Sequence, residues 1–145
     1  MPDFNHLTKL DVSDESRATF TFYQIEGEPK LEVTTASQAN KPYQLAVLKK
    51  SSQATRAAAQ SARLNPRMLA QNRNEDRELY PLHIVKGWSG VKDSKGKEVA
   101  FSIDNVKAFL VALPDWLFDE LRLFCTSPQS FIEGGEVDVE ETAKN

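Results

Sequence analysis

Few residues in this chain have the chemistry to catalyse anything, and their spacing sets them apart from one another. His6 and His83 are the two histidines, and Cys125 stands alone. A zinc site needs three or four such ligands gathered at short spacings, so these three residues predict no metal centre. Cys125 follows Phe124 on a helical pattern with no histidine nearby to activate it, so it reads as a small core residue. His83 reads as a surface or half-buried histidine. Glu75, Asp76 and Glu78 alternate with Arg73 and Arg77. A catalytic carboxylate pair needs desolvation to tune its protonation. This segment instead reads as a wet helix face on which opposite charges neighbour each other. Asp93-Ser94-Lys95-Gly96-Lys97 has the start of a calcium loop, but lysines stand where oxygen donors belong and no glutamate closes it. It reads as a turn. No glycine-rich phosphate loop and no serine nucleophile elbow is present. The expectation is a protein without enzymatic activity, cofactor or small-molecule substrate.

The elements that would carry these residues make a small α+β protein. Its 145 residues suit one domain with tails. No apolar run is long enough for a membrane helix, and Met1-Pro2-Asp3-Phe4-Asn5 has no secretory character. The lone cysteine fits a reducing compartment. Four segments are expected: a hairpin and helix over 1–50, a basic helical linker over 51–78, a hairpin with two short helices over 79–132, and a disordered acidic tail over 133–145.

Residues 1–16 read as a loose arm. Arg17 to Ile25 alternates as a half-buried strand, with Phe20 and Phe22 on one side and Thr19, Thr21 and Tyr23 on the other. After the Glu26–Pro29 turn, Leu31 and Val33 mark its partner. Asn40-Lys41-Pro42 starts a helix, the proline sitting where its missing N–H is harmless. Leu45, Leu48 and Tyr43 are expected to face the hairpin. Asn65-Pro66 starts a second helix, which Tyr80-Pro81 ends. Leu82, Ile84, Val85 and Trp88 form a strand, Gly96 closes a turn, and Val99 with Phe101 returns. Ser102 caps a helix carrying Ile103, Val106, Leu110 and Leu113. Pro114 begins the last helix, with Leu117, Leu121 and Phe124 in one stripe and Trp116 and Phe118 beside it.

Charge is uneven. Residues 1–32 carry net −4, residues 33–74 net +7 and residues 75–145 net −6. The middle segment holds Lys41, Lys49, Lys50, Arg56, Arg63, Arg67 and Arg73 without one acid. Such a patch could lie on nucleic acid phosphates. Tyr43 is its one aromatic, so no base-stacking platform is visible, and an acidic protein would serve equally well. Trp88 and Trp116 flank core-like runs and are expected at the core or its edge.

The stretch from Arg77-Glu78-Leu79-Tyr80-Pro81 through Trp88, Val91, Asp93, Gly96-Lys97, Val99 and Phe101-Ser102 to Leu113-Pro114 resembles small proteins of tailed bacteriophages. Asn40-Lys41-Pro42-Tyr43 lies upstream of it. The pattern is similar to that of tail-assembly chaperone-type proteins. The resemblance implies a non-enzymatic assembly role in the host cytoplasm, binding tape-measure and tail-tube proteins, with self-association as an option. Under it, Trp88, Trp116, Leu117, Leu121 and Phe124 are the candidate partner-binding residues. The basic patch of Lys49, Lys50, Arg56, Arg63, Arg67 and Arg73 is the candidate surface of a nucleic-acid accessory factor. The N-terminal hairpin departs from a mostly helical chaperone. It fits a subunit that stays in the virion, such as a minor capsid, decoration or head–tail connector protein.

Overall fold

The computed structural model describes residues 2–50 and 66–132. Residues 51–65 of the linker expected over 51–78, and the acidic tail expected over 133–145, lie outside the described residues. The remainder is α+β: a three-stranded antiparallel sheet and four helices. The arm is not wholly loose, since Asn5–Leu10 forms a 3-10 helix.

Strand β1 (Ala18–Thr21) pairs with β2 (Lys30–Val33), which pairs in turn with β3 (Val85–Ser89). One face of this sheet is apolar. Ala18, Phe22, Leu31 and Val33 are buried there, with Phe20 and Trp88 packed against them. The other face carries Thr19, Thr21, Lys30, Glu32 and Ser89, as the two-residue period of a strand requires. A two-stranded hairpin is marginal alone. Here β3 provides the third strand from residues over fifty positions away.

That pairing corrects the expected second hairpin. Val99 and Phe101 form no strand, although Lys92 and Glu98 bridge across the turn and the Val99 amide donates to the Val91 carbonyl. Continuing that register would set Ser89 opposite Phe101, immediately before Ser102 caps the next helix. No extended chain is left to pair with Val85–Trp88, so these residues join β2. Gly96 does take positive φ, at 81°, and Asp93 accepts the amides of Lys95 and Lys97 to shape the turn.

Helix α1 (Lys41–Lys50) begins as its sequence requires. Asn40 accepts the Tyr43 amide at 3.1 Å, and its own amide group donates to the carbonyls of Thr35 and His83. One buried side chain therefore ties the chain after β2, the start of α1 and His83 together. The buried stripe of α1 is Tyr43 with the half-buried Ala46 and Val47. Leu45 and Leu48 point to solvent, contrary to expectation, because they lie on the opposite helical face. Helix α2 (Pro66–His83) runs through Pro81 rather than ending before it. Pro81 sits in the last turn, where the loss of one donor is tolerable, and Ile84 still donates to Tyr80. Leu82 is thus an exposed helical residue, not a strand residue.

Helices α3 (Ile103–Ala112) and α4 (Asp115–Thr126) cover the apolar sheet face. Ser102 caps α3 through the Asn105 amide. Val106, Leu110 and Leu113 are buried, but Ile103 is exposed. Leu117, Phe118, Leu121 and Cys125 fill the inner face of α4. A short 3-10 helix, Pro128–Phe131, returns Phe131 onto Phe124.

Candidate functional site

Arg73, Asp76 and Arg77 of α2 turn inward toward α4. Asp76 is buried, and its two oxygens are taken by different partners. The Tyr43 hydroxyl donates to Oδ1 at 2.5 Å, and Arg122 Nε donates to Oδ2 at 2.8 Å. One turn of helix earlier, Arg73 grips Asp119 with two parallel bonds of 2.9 and 2.7 Å. Arg77 donates to the carbonyls of Leu110 and Leu113 at the end of α3, the first of which also accepts the Leu113 amide. It also meets Asp115 at the start of α4. The guanidiniums of Arg77 and Arg122 lie over the Phe118 ring, at 5.0 and 5.9 Å from its centre.

This seam corrects the wet-helix reading for Arg73, Asp76 and Arg77. The partners of Arg73, Asp76 and Arg77 come from other elements: Asp119, Arg122, Tyr43 and the α3–α4 corner. Sequence reasoning found the charges but could not see these partners. The available signal was the acidic and basic spacing of Asp115, Asp119 and Arg122, which repeats at helical intervals on α4. Electrostatics follow the geometry. Burial, and the Asp76 carboxylate beside it, push the Tyr43 hydroxyl up. The bond from Arg73 holds the Asp119 carboxyl below its usual range. Burial pushes Cys125 and Tyr80 up, and lowers His83 with help from Lys86. Cys125 is fully buried, as its sequence context suggested.

The seam has the makeup of a structural joint. Its acids are neutralised by arginines, and Cys125 is sealed away from any reactant. Among the described residues no group of three or more histidine, cysteine or carboxylate side chains is placed to hold a metal. A polar hollow of about 250 Å³ lies beside the start of α1, lined in part by Asp14, Arg17, Asn40, His83 and Lys86. Its buried members are already satisfied: Asn40 by three bonds and Thr34 by the Asp14 carbonyl.

The five partner-binding candidates fall into separate places. Leu117 and Leu121 are buried in the core and present no surface. Phe124 is half-buried against Phe20 and Phe131. Trp88 is half-buried too, edge-on to Phe101 and Phe109, with its indole N–H on the Val99 carbonyl at 3.0 Å. Trp116 is the exception, with 56% of its surface exposed on the outer face of α4. That overturns its expected core position. The helix already has Leu117 and Phe118 for the core, and Trp116 points the other way. Leu123, two turns on, is exposed as well.

Of the basic patch, the side chains of Lys49 and Arg73 fall among the described residues. Lys49 is exposed, but Arg73 is spent on Asp119 and Asp115. Arg56 and Arg63 lie outside the described residues, as do the side chains of Lys50 and Arg67.

No helix among the described residues is long and apolar enough to cross a membrane. The profile of a family described as "YdaY prophage protein" matches residues 38–145, from just before the Asn40 cap onward. The match takes in α1, α2, β3, α3 and α4 and leaves out β1 and β2. No curated protein and no solved structure matches the chain.

Proposed function

The chain belongs to the YdaY prophage protein family, and from that premise we propose a non-enzymatic role in assembling phage particles. The reading is a tail-assembly chaperone that binds the tape-measure protein or tail-tube subunits in the host cytoplasm. The observation that carries it is Trp116. A tryptophan more than half exposed on a helix whose other face is already packed is a ready anchor for another protein. Leu123 extends the same outer surface. An amphipathic segment of a long helical partner would lay its apolar side there.

The test is quantitative mass spectrometry of purified phage particles beside the lysate of induced cells. A chaperone is abundant in the lysate, co-purifies with the tape-measure protein and is missing from finished particles. Fixed copies in the particles would overturn the chaperone reading.

A second reading is favoured by the sheet. An N-terminal hairpin joined to β3 in one antiparallel sheet suits a subunit that stays in the virion, as a minor capsid, decoration or connector protein. The same measurement then returns a copy number, and that number separates capsid from connector. A nucleic-acid role draws less support, since Arg73 is committed to carboxylates within the fold. Steep loss of nucleic-acid affinity with salt would restore it.

A further inference from the structure

The sheet ends in two edges, and they differ. Phe22 donates to the Pro29 carbonyl, which fixes the phase of the β1–β2 ladder. With Ala18 opposite Val33 and Phe20 opposite Leu31, the backbone groups of Ala18 and Phe20 turn toward β2. Those of Thr19 and Thr21 turn outward. The β2–β3 side agrees, since Thr34 donates to Ile84 and the even-numbered residues of β2 face β3. Among the described residues, no strand lies beyond β1.

Natural edges are guarded by a charge, a proline or a bulge. The β3 edge has Lys86 within it, and a register irregularity sits on its ladder with β2. Strand β1 reads Ala-Thr-Phe-Thr, with no charge and no proline, and its ladder is regular over all four residues.

We propose that the β1 edge pairs antiparallel with β1 of a second copy of this chain, joining two three-stranded sheets into one of six strands. The edge is self-complementary about Phe20. A two-fold axis there sets Thr19 opposite Thr21, so that all the outward donors and acceptors are satisfied in both copies. Two Phe20 rings meet on the helical side of the sheet, beside Phe124. Arg17 falls opposite Tyr23, which is 62% exposed. No like charges are opposed in this register, and cross-strand threonines and aromatics are favourable neighbours. The strands concerned lie outside the residues that the family profile matches. The inference rests on sheet geometry and stands or falls apart from the assembly reading.

The test is sedimentation equilibrium of the full chain, with two variants. The wild type sediments as a dimer. Thr19→Pro deletes an outward N–H without touching the β2 ladder, and it sediments as a monomer with its near-UV circular dichroism retained. Thr19→Val keeps the N–H and the dimer. A wild type that is monomeric at about millimolar concentration overturns the proposal, as does a Thr19→Pro protein that remains dimeric. Should Thr19→Pro fail to fold, oxidative cross-linking decides. Opposed residues of a hydrogen-bonded pair lie about 5.5 Å apart, within disulfide reach. The double variant T19C/T21C then cross-links between copies, whereas T19C and T21C alone do not. Absence of that cross-link sinks the pairing.

Discussion

Two regions hold this protein together by opposite means. The seam between α2 and α4 is ionic: Arg73 pairs with Asp119 and Asp76 with Arg122, while Arg77 and Arg122 lie over the Phe118 ring. The junction of the sheet with α3 and α4 is aromatic. There Phe20, Phe22, Trp88, Phe109 and Phe124 touch edge to face, with centroids 4.8 to 5.8 Å apart. Apolar contact is tolerant of pH and salt, whereas an ionic joint fixes direction and responds to both. The aromatic side is expected to supply most of the cohesion. The ionic side sets the angle at which α4 crosses α2, because Arg77 pins the Leu113–Pro114 corner by three acceptors at once.

The largest effect is therefore expected on the aromatic side. Phe22 is completely buried and meets both Phe20 and Phe109. Phe22→Ala should cost about 3–5 kcal/mol in urea unfolding, with no change in its pH dependence. A cost below about 1 kcal/mol would mean that the cluster collapses around the gap and cohesion lies elsewhere.

Next comes the seam. Asp76→Asn leaves Arg122 with one fewer anionic partner in a mostly buried site, and should cost about 2–3 kcal/mol. Here pH separates the two regions. Asp119 has its carboxyl depressed in the folded state by the Arg73 bond, so the folded protein holds fewer protons than the unfolded chain in acid. Its contribution is present above the unfolded value and is lost as pH falls below about 4. The Tyr43 hydroxyl is raised, so its contribution is present below about pH 10 and is lost as pH climbs beyond that. Tyr43→Phe should lessen the alkaline limb, to which the buried Tyr80 and Cys125 also contribute, and leave the acid limb alone. An unchanged alkaline limb would remove Tyr43 as a contributor.

What the sequence revealed and what it hid divide along the same line. Local signals were legible. Asn40 and Ser102 cap helices where their side chains can reach the first free amides, and Gly96 turns where it must. The alternation from Thr19 to Phe22 showed which side is buried. Long-range pairing was not legible. Trp88 could belong to a local hairpin or to a distant strand, and only the early start of α3 at Ser102 decides against the first. The charges of 73–78 looked solvated because helical neighbours are the simplest partners for alternating signs. The partners of Arg73 and Asp76 arrive some forty residues later, on α4. Likewise, Trp116 and Leu117 are adjacent and both apolar, and composition alone does not say which one a helix turns outward.

A smaller effect, of the opposite sign, is expected where the two regions meet. Tyr80 is fully buried between the Tyr43 and Phe118 rings, and its hydroxyl has no hydrogen-bond partner among the described residues. A buried hydroxyl left unpaired costs free energy that a phenylalanine of the same shape avoids. Tyr80→Phe should leave stability unchanged or raise it by about 1 kcal/mol. A clear loss would reveal a partner for that oxygen and make Tyr80 a member of the ionic seam.

The last expected effect on folding is also small, and it has the largest bearing on function. Trp116 lies outside both regions, on the solvent side of α4, with Asp115 beside it engaged by Arg73 and Arg77. Trp116→Ala should shift unfolding free energy by about 1 kcal/mol or less, because more than half of the residue stays in water in the folded chain. If the ring is a partner anchor, the same change should weaken capture of tape-measure or tail-tube protein at least tenfold, about 1.4 kcal/mol of binding. A protein that folds and captures its partner as before would leave α4 without a role outside the core. A protein that unfolds would put Trp116 back among the aromatic contacts and take away the surface on which the assembly role rests.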